Sequence, residues 1–295
     1  MPKRPDYPHW HANKRWTNVE KTRLALSILA GRDFAGKPWR PKQIYYKTLL
    51  QKKKLVVSKI SDERSSRAIL ATFEYFGLAW VREELLTITP AGALFVNGKV
   101  EEVLRLQLLK WQYPNPYEAQ GHVAPYTRSI KLFPFRTILY FLTELGSLHE
   151  RESALFVWRT MSAEQSELDT VRNAILDFRK LDARNQEEQS TGLLYTRIHE
   201  YEEHLRPYIL ATGLCTFDPK TQQLSITPGK EPEVKSLLSE RIDVKTDWRD
   251  EEEWFEYFGD TSRDHPPQKV EIKLQPASGT ASGFVVKVKE VRSTA

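Results

Sequence analysis

Ile69, Leu70, Phe73 and Phe76 recur at helical spacing, which predicts a helix that opens after Ser61 and Asp62 and runs to Phe76, and Gly77 is a natural stop for it. The period then falls to two. Residues 78–81 and 85–89 read as short strands joined around Arg82, Glu83 and Glu84, a compact hairpin. Thr89 and Pro90 supply a cap and a first-turn proline for the next helix. Upstream, Asn18 and Gly31 bracket a helix over 18–30, and 41–53 forms a second with Ile44, Leu49 and Leu50 as its apolar positions. Downstream, Val100, Val103, Leu104, Leu108 and Trp111 make one helical stripe, which the prolines of K-W-Q-Y-P-N-P end.

The hairpin is written twice. L-L-T-I-T-P-A-G from Leu85 returns as Q-L-S-I-T-P-G-K from Gln223, with Ile226 lying 138 residues after Ile88 and Gly213 lying 136 after Gly77. The second half repeats the plan: helices over 133–145 and 150–161, then one opening at a capping-box-like Ser162 to Gln165 and striped by Val171, Ala174, Ile175 and Phe178. A polar break over 184–191, a helix over 195–211 and strands at 214–217 and 223–227 complete it, with Pro228 expected to open the following helix as Pro90 does. Helices followed by a hairpin give the order of a winged helix-turn-helix. The expected fold is therefore mainly α with small β-hairpins. It comprises two tandem winged-helix-like subdomains, 1–117 with a basic N-terminal arm and 118–245, and a linker over 246–295.

Charge changes this picture from a fold into a candidate function. The net charge is +5, and basic residues outnumber acidic ones several-fold over residues 1–59, interleaved with Trp10, Trp16, Trp39, Tyr45 and Tyr46. A front-loaded basic segment with aromatics is the electrostatic footprint of nucleic-acid binding. The apolar run beginning at Leu24 is too short for a membrane span, and the first residues carry charge without the apolar core of a signal peptide. A single cysteine, Cys215 between Leu214 and Phe217, excludes an intramolecular disulfide framework and fits a buried thiol in a reducing cytoplasm. His9 and His11 stand close in sequence, but no cysteine or carboxylate cluster completes a zinc site around them.

In a winged helix the third helix enters the major groove, where its first residues meet base edges. That places Arg64, Ser65, Ser66 and Arg67 as candidate DNA contacts, with Lys59 just ahead of them; arginine is the commonest bidentate reader of guanine. In the second unit the candidates are Arg172, Asn173 and Arg179. The arm, too polar to pack as a core element although its two tryptophans argue for some docking, offers His11, Lys14, Arg15 and Trp16 as a groove-lying or phosphate-gripping stretch.

The runs F-G-L-A-W-V, L-L-T-I-T-P-A-G-A-L-F and L-L-K-W-Q-Y-P-N-P, with E-E-W-F-E-Y-F-G from Glu252, resemble the AlwI family of type IIS restriction endonucleases and their nicking relatives. The resemblance covers most of 10–259 and implies a modular enzyme. Two winged-helix-like subdomains bind a short asymmetric site on double-stranded DNA. A separate PD-(D/E)xK nuclease domain or subunit, using Mg²⁺, cuts outside the site. On that pattern the chain stops where the linker should begin, binds no cofactor itself and acts as a monomer on DNA. A weaker candidate catalytic set remains in Asp260, Glu271 and Lys273, whose order matches the nuclease signature, although only 22 residues follow Lys273. Two other functions stay open: a winged-helix transcription regulator that dimerises through 100–111, and a complete small nuclease using those three residues.

Overall fold

The computed structural model describes residues 8–12, 17–56, 64–119, 128–267, 271–276 and 284–289. It is mostly helical with small antiparallel sheets. Helix α1 (Val19–Leu29) starts at Asn18, whose side chain accepts from Lys21 N at 2.8 Å and so satisfies one orphan amide of the first turn. Helices α2 (Gln43–Lys52) and α3 (Arg64–Tyr75) follow, then β1 (Ala79–Arg82) and β2 (Leu85–Ile88), paired antiparallel with Ala79 opposite Ile88. Gly77 takes φ +63°, the left-handed value that lets the chain leave α3 and enter the hairpin at once. The periodicity did not disclose a third partner of this sheet: residues 36–39 run beside β2, with Gly36 N donating to Leu86 O at 2.8 Å and Leu86 N to Lys37 O at 3.0 Å. Helix α4 (Pro90–Val96) is capped by Thr89, which accepts from Gly92 N at 3.0 Å and donates to Gly77 O at 2.6 Å. Gly92 lets α4 ride directly on the hairpin, since a Cβ there would lie 1.9 Å from Leu78 O. Helix α5 (Val100–Lys110) then buries Val103, Leu104 and Leu108.

After α6 (Pro116–Ala119), the second unit runs α7 (Pro134–Leu145), β3 (Ser147–His149), α8 (Glu150–Leu155), α9 (Gln165–Arg179), α10 (Ala183–Gln189), α11 (Leu193–Leu210), β4 (Cys215–Asp218) and β5 (Gln223–Ile226). Its sheet order is β3-β5-β4, so the second hairpin strand is again flanked by the stretch that follows the unit's opening helix. Thr89 N to Leu78 O at 3.2 Å and Thr227 N to Leu214 O at 2.9 Å close the two hairpins identically. The repeated phrase is a repeated hairpin base.

Several local expectations shift. The polar stretch expected as a break is α10: Asp182 accepts from Asn185 N at 2.9 Å, and the Glu, Gln and Arg that follow are good helix formers. Helix α9 opens without the capping box; Ser162 Oγ instead donates to Glu167 at 2.9 Å, and its N-cap is Glu164. The helix expected over 150–161 ends at Leu155 and tightens into a 3₁₀ turn at Val157–Arg159. Pro228 opens no helix, because Gly229 at φ +84° and the bond from Lys230 N to Thr227 O form a turn there. Helix α12 (Glu231–Ser239) starts three residues later.

Two terminal segments are part of the core. Trp10, in the arm expected to be too polar to pack, is fully buried; its N donates to Trp158 O and its Nε1 to Thr160 O, both at 2.8 Å. In the stretch expected as a linker, α13 (Glu251–Phe258) buries Trp254, Phe255, Tyr257 and Phe258 against the first unit, with Phe255 stacked on Trp80 at 4.8 Å. The register explains this: the aromatics of α13 share the inner face, while Glu256 is exposed and Glu251, Glu252 and Glu253 are half-buried. Beyond it, β6 (Glu271–Pro276) and β7 (Phe284–Lys289) form a hairpin.

The K-W-Q-Y-P run ties these parts together. Lys110 Nζ donates to Tyr257 O at 2.6 Å and Asp260 O at 2.7 Å, covering the carbonyl end of α13. Burial pulls the Lys110 ammonium down to about 7. Gln112 Nε2 donates to Lys245 O at 2.6 Å and its Oε1 accepts from Lys245 N at 3.2 Å. Tyr113 donates to His11 O at 2.8 Å while its backbone pairs with Leu132. Arm, second unit and C-terminal helix are thus bonded to one five-residue stretch.

Candidate nucleic-acid interface

The candidate contacts fall into three groups. The first lies at α2 and α3. The apolar stripe of α3 faces inward, with Ile69, Leu70, Phe73 and Phe76 buried, which leaves Arg67 exposed near its start. The backbone of Arg64, Ser65 and Ser66 forms the first turn, on the same end. Lys59 lies outside the described residues, as do Lys14, Arg15 and Trp16. His11 is half-buried and held by both backbone atoms: its N donates to Tyr113 Oη at 3.1 Å and its O accepts from Tyr75 Oη at 3.0 Å. It serves the junction between arm and core.

The second group is on α9. Arg172 pairs with Glu144 at 3.3 Å and with Asp169 at 3.2 Å. Arg179 binds Glu152 at 2.7 Å and donates to Ser147 O at 2.6 Å, and the hydrogen bond to Glu152 raises its already high pKa. Glu152 is nearly inaccessible, so Arg179 neutralises a buried carboxylate and ties the end of α9 to α8 and β3. Asn173 is exposed. The helix that directly precedes the second hairpin, as α3 precedes the first, is α11. Helices α9 and α10 are extra elements between α8 and α11, and for that reason the spacing of the duplicated phrases could not assign the equivalent helix.

The third group is chemical. The Asp260 carboxylate accepts from Ser262 Oγ at 2.7 Å and Ser262 N at 2.9 Å and pairs with Arg263 at 3.0 Å; the Ser262 bonds, above all, hold it below the usual carboxylate range. It closes the turn after α13. Glu271 and Lys273 stand on β6, their backbones opposite Lys289 and Lys287. Among the described residues no three or more His, Cys, Asp or Glu side chains gather as a metal site. The Mg²⁺ implied for cleavage finds no fitting donor set among them, and no catalytic step is assigned to them. Cys215 is buried, and burial pushes its thiol up to about 12, far from a nucleophile's range.

The charge map adds what the candidate set omitted. In the second unit a number of surface cations are matched, as in Arg151–Glu187, Lys180–Asp177, Arg184–Glu188 and Lys230–Glu233, while Lys131, Lys220 and Lys235 are exposed and form no ion pair among the described residues. In the first, Arg32, Lys37, Arg40, Lys52, Lys53 and Lys54 are exposed and form no ion pair. The excess of basic residues early in the sequence was the signal for this face; α2 places it.

Residues 75–257, more than half the chain, match the family model of the AlwI restriction endonuclease. The chain belongs to that family. No curated protein matches the chain. Among solved structures, the BpuJ1 endonuclease binding domain in complex with pyrene- and phenanthrene-modified DNA is similar to this AlwI-family chain. It superposes with a TM-score of 0.56 at 10% identity, covering 78% of this chain and 84% of that one. At that identity the likeness is one of fold. The matched stretch opens at Tyr75 and takes in both hairpins, the K-W-Q-Y-P junction and most of α13. Among the described residues no helix is long and apolar enough to cross a membrane.

Proposed function

We propose that this chain is the recognition part of a type IIS restriction or nicking endonuclease. It binds a short asymmetric site on double-stranded DNA as a monomer, through two winged-helix-like units, in the cytoplasm. A separate Mg²⁺-dependent PD-(D/E)xK domain or subunit makes the cut. The observation that carries this reading is the fold-wide likeness, over most of both chains, to an endonuclease binding domain crystallised on DNA, in a chain of a restriction-endonuclease family. The recurring order of helix, short strand, helix and hairpin supports the winged-helix description. Helix α3 supplies the base reader, with Arg67 and the first-turn residues Arg64, Ser65 and Ser66 nearest the bases.

The transcription-regulator alternative needs a dimerisation helix, and α5 is engaged elsewhere: it packs against α4, α7 and α11, and Arg105 binds Glu233 at 2.6 Å and Thr212 O at 3.0 Å in the second unit. The test is sedimentation of the purified chain with a labelled duplex, together with incubation on supercoiled plasmid containing Mg²⁺. One chain per duplex and intact plasmid are expected. Two chains on a palindromic duplex favour the regulator, and metal-dependent nicking abolished by Glu271→Ala favours the small nuclease.

A further inference from the structure

Helix α2 carries a feature that neither the base-reading end of α3 nor the arm accounts for. Lys42, Tyr45, Thr48 and Lys52 follow at spacings of three, three and four residues, which places them on one face of the helix and its 3₁₀ lead-in. Tyr45, at 44% exposure, is one of the few large side chains left open to solvent. It stacks on Phe34 at 5.5 Å and 15° between planes, and the Lys42 ammonium lies 6.0 Å from both rings. That stack fixes the cation in place. At the other end, Lys52, Lys53 and Lys54 are exposed and form no ion pair.

The C-terminal turn makes this arrangement unusual. Lys53 caps α2, and Lys54 takes φ 57° while Leu55 N reaches back to Leu50 O at 2.9 Å, a Schellman-type ending. Glycine or asparagine takes that left-handed position at lower cost than lysine. A helix C-terminus does favour cations, but three adjacent lysines that form no ion pair among the described residues repel one another. The repulsion is relieved when a polyanion covers the turn, while the backbone cost of Lys54 stays with the fold. Lys42 and Lys52 are ten residues apart, or about 15 Å along a helix axis. That is comparable with the roughly 12 Å width of the major groove, and in helix-turn-helix proteins the helix before the reader crosses the DNA backbone.

The geometry points to α2 as a phosphate-tracking face: Lys42 at one end and Lys52, Lys53 and Lys54 at the other grip the sugar-phosphate strands beside the groove that α3 enters. Between them Tyr45 packs against a deoxyribose, and the Thr48 hydroxyl stays bonded to Ile44 O at 3.0 Å. The occupant is the backbone of duplex DNA, whatever its sequence, and the inference rests on the DNA-binding reading above. Helix α2 lies outside the matched residues 75–257, so the family likeness does not supply it.

The test measures binding to a fluorescent random-sequence duplex across a salt series, for the full chain and for K52Q/K53Q/K54Q. Each phosphate neutralised contributes about 0.9 to the slope of log K against log salt. The triple variant is expected to lower that slope by about 2 to 3, with a melting midpoint no lower than that of the full chain. K42Q on its own is expected to lower it by about 1. A full chain that binds duplex with a slope the triple variant leaves unchanged overturns the α2 face alone. A full chain that binds no duplex at low salt overturns the DNA-binding reading and this inference with it.

Discussion

Replacing Trp10 by alanine removes a side chain that is fully buried in the segment the sequence marks as an arm. The indole lies 5.7 Å from the ring of Trp158, which stands in the 3₁₀ turn at Val157–Arg159. Truncating a buried tryptophan to alanine costs about 3 to 5 kcal/mol, the spread reflecting how far the cavity collapses. The Nε1 bond to Thr160 O is lost as well, and a carbonyl left without that partner adds about 1 kcal/mol. The total, about 4 to 6 kcal/mol, is a large part of the 5 to 15 kcal/mol that holds a domain together. At roughly 2 to 4 °C per kcal/mol for a chain of this order, the melting midpoint is expected to fall by about 8 to 24 °C. Trp10→Phe keeps most of the apolar volume and is expected to fall by only a few degrees. Circular dichroism and scanning calorimetry read both. A Trp10→Ala protein that melts within 2 °C of wild type refutes the docked arm.

Gly77→Ala places a Cβ 2.7 Å from Phe258 Cδ1 at a left-handed φ, so a loss of about 2 to 4 kcal/mol is expected in urea unfolding; a neutral result contradicts the close packing of α13 on α3. Arg179→Ala leaves Glu152 buried without its partner and is expected to cost about 2 to 4 kcal/mol while duplex affinity per folded molecule stays within twofold; lost affinity at unchanged stability restores Arg179 to the DNA surface. Glu74 is raised to about 7 by burial first and by Glu251 second. A carboxyl raised in the folded state makes stability fall as pH rises from its ordinary value through 7. Discounted for its partial exposure, Glu74→Gln is expected to be more stable than wild type by about 1 to 2 kcal/mol at pH 8 and equal to it near pH 5. A gap that widens on acidification contradicts that assignment.

The parts of the fold legible in the sequence are those where one residue's backbone chemistry decides the outcome. Gly77 and Gly213 end helices at φ +63° and +71°, and Thr89 caps α4 as its position before a proline implies. The copies diverge where their glycines do: T-P-A-G puts Gly92 inside a helix against Leu78 O, while T-P-G-K puts Gly229 in a turn. What was illegible depends on partners distant in the chain. Nothing local in P-H-W-H-A says that Trp10 meets Trp158, and a helix as acidic as α13 shows its aromatic face only when Trp80 is there to receive it. The candidate interface divides along the same line. The basic excess was visible, but which cations are matched by anions, such as Arg172 and Arg179, and which stand unmatched on α2 is a property of packing.

The central claim, sequence-specific recognition of an asymmetric duplex site, is tested most directly by selection. Duplexes carrying a randomised central stretch are bound by the purified chain, recovered over several rounds and sequenced. The account predicts enrichment of one short non-palindromic sequence, bound one chain to one duplex, and loss of about 1 to 3 kcal/mol of preference in Arg67→Ala. A pool that remains random, or a palindrome bound by two chains, contradicts it.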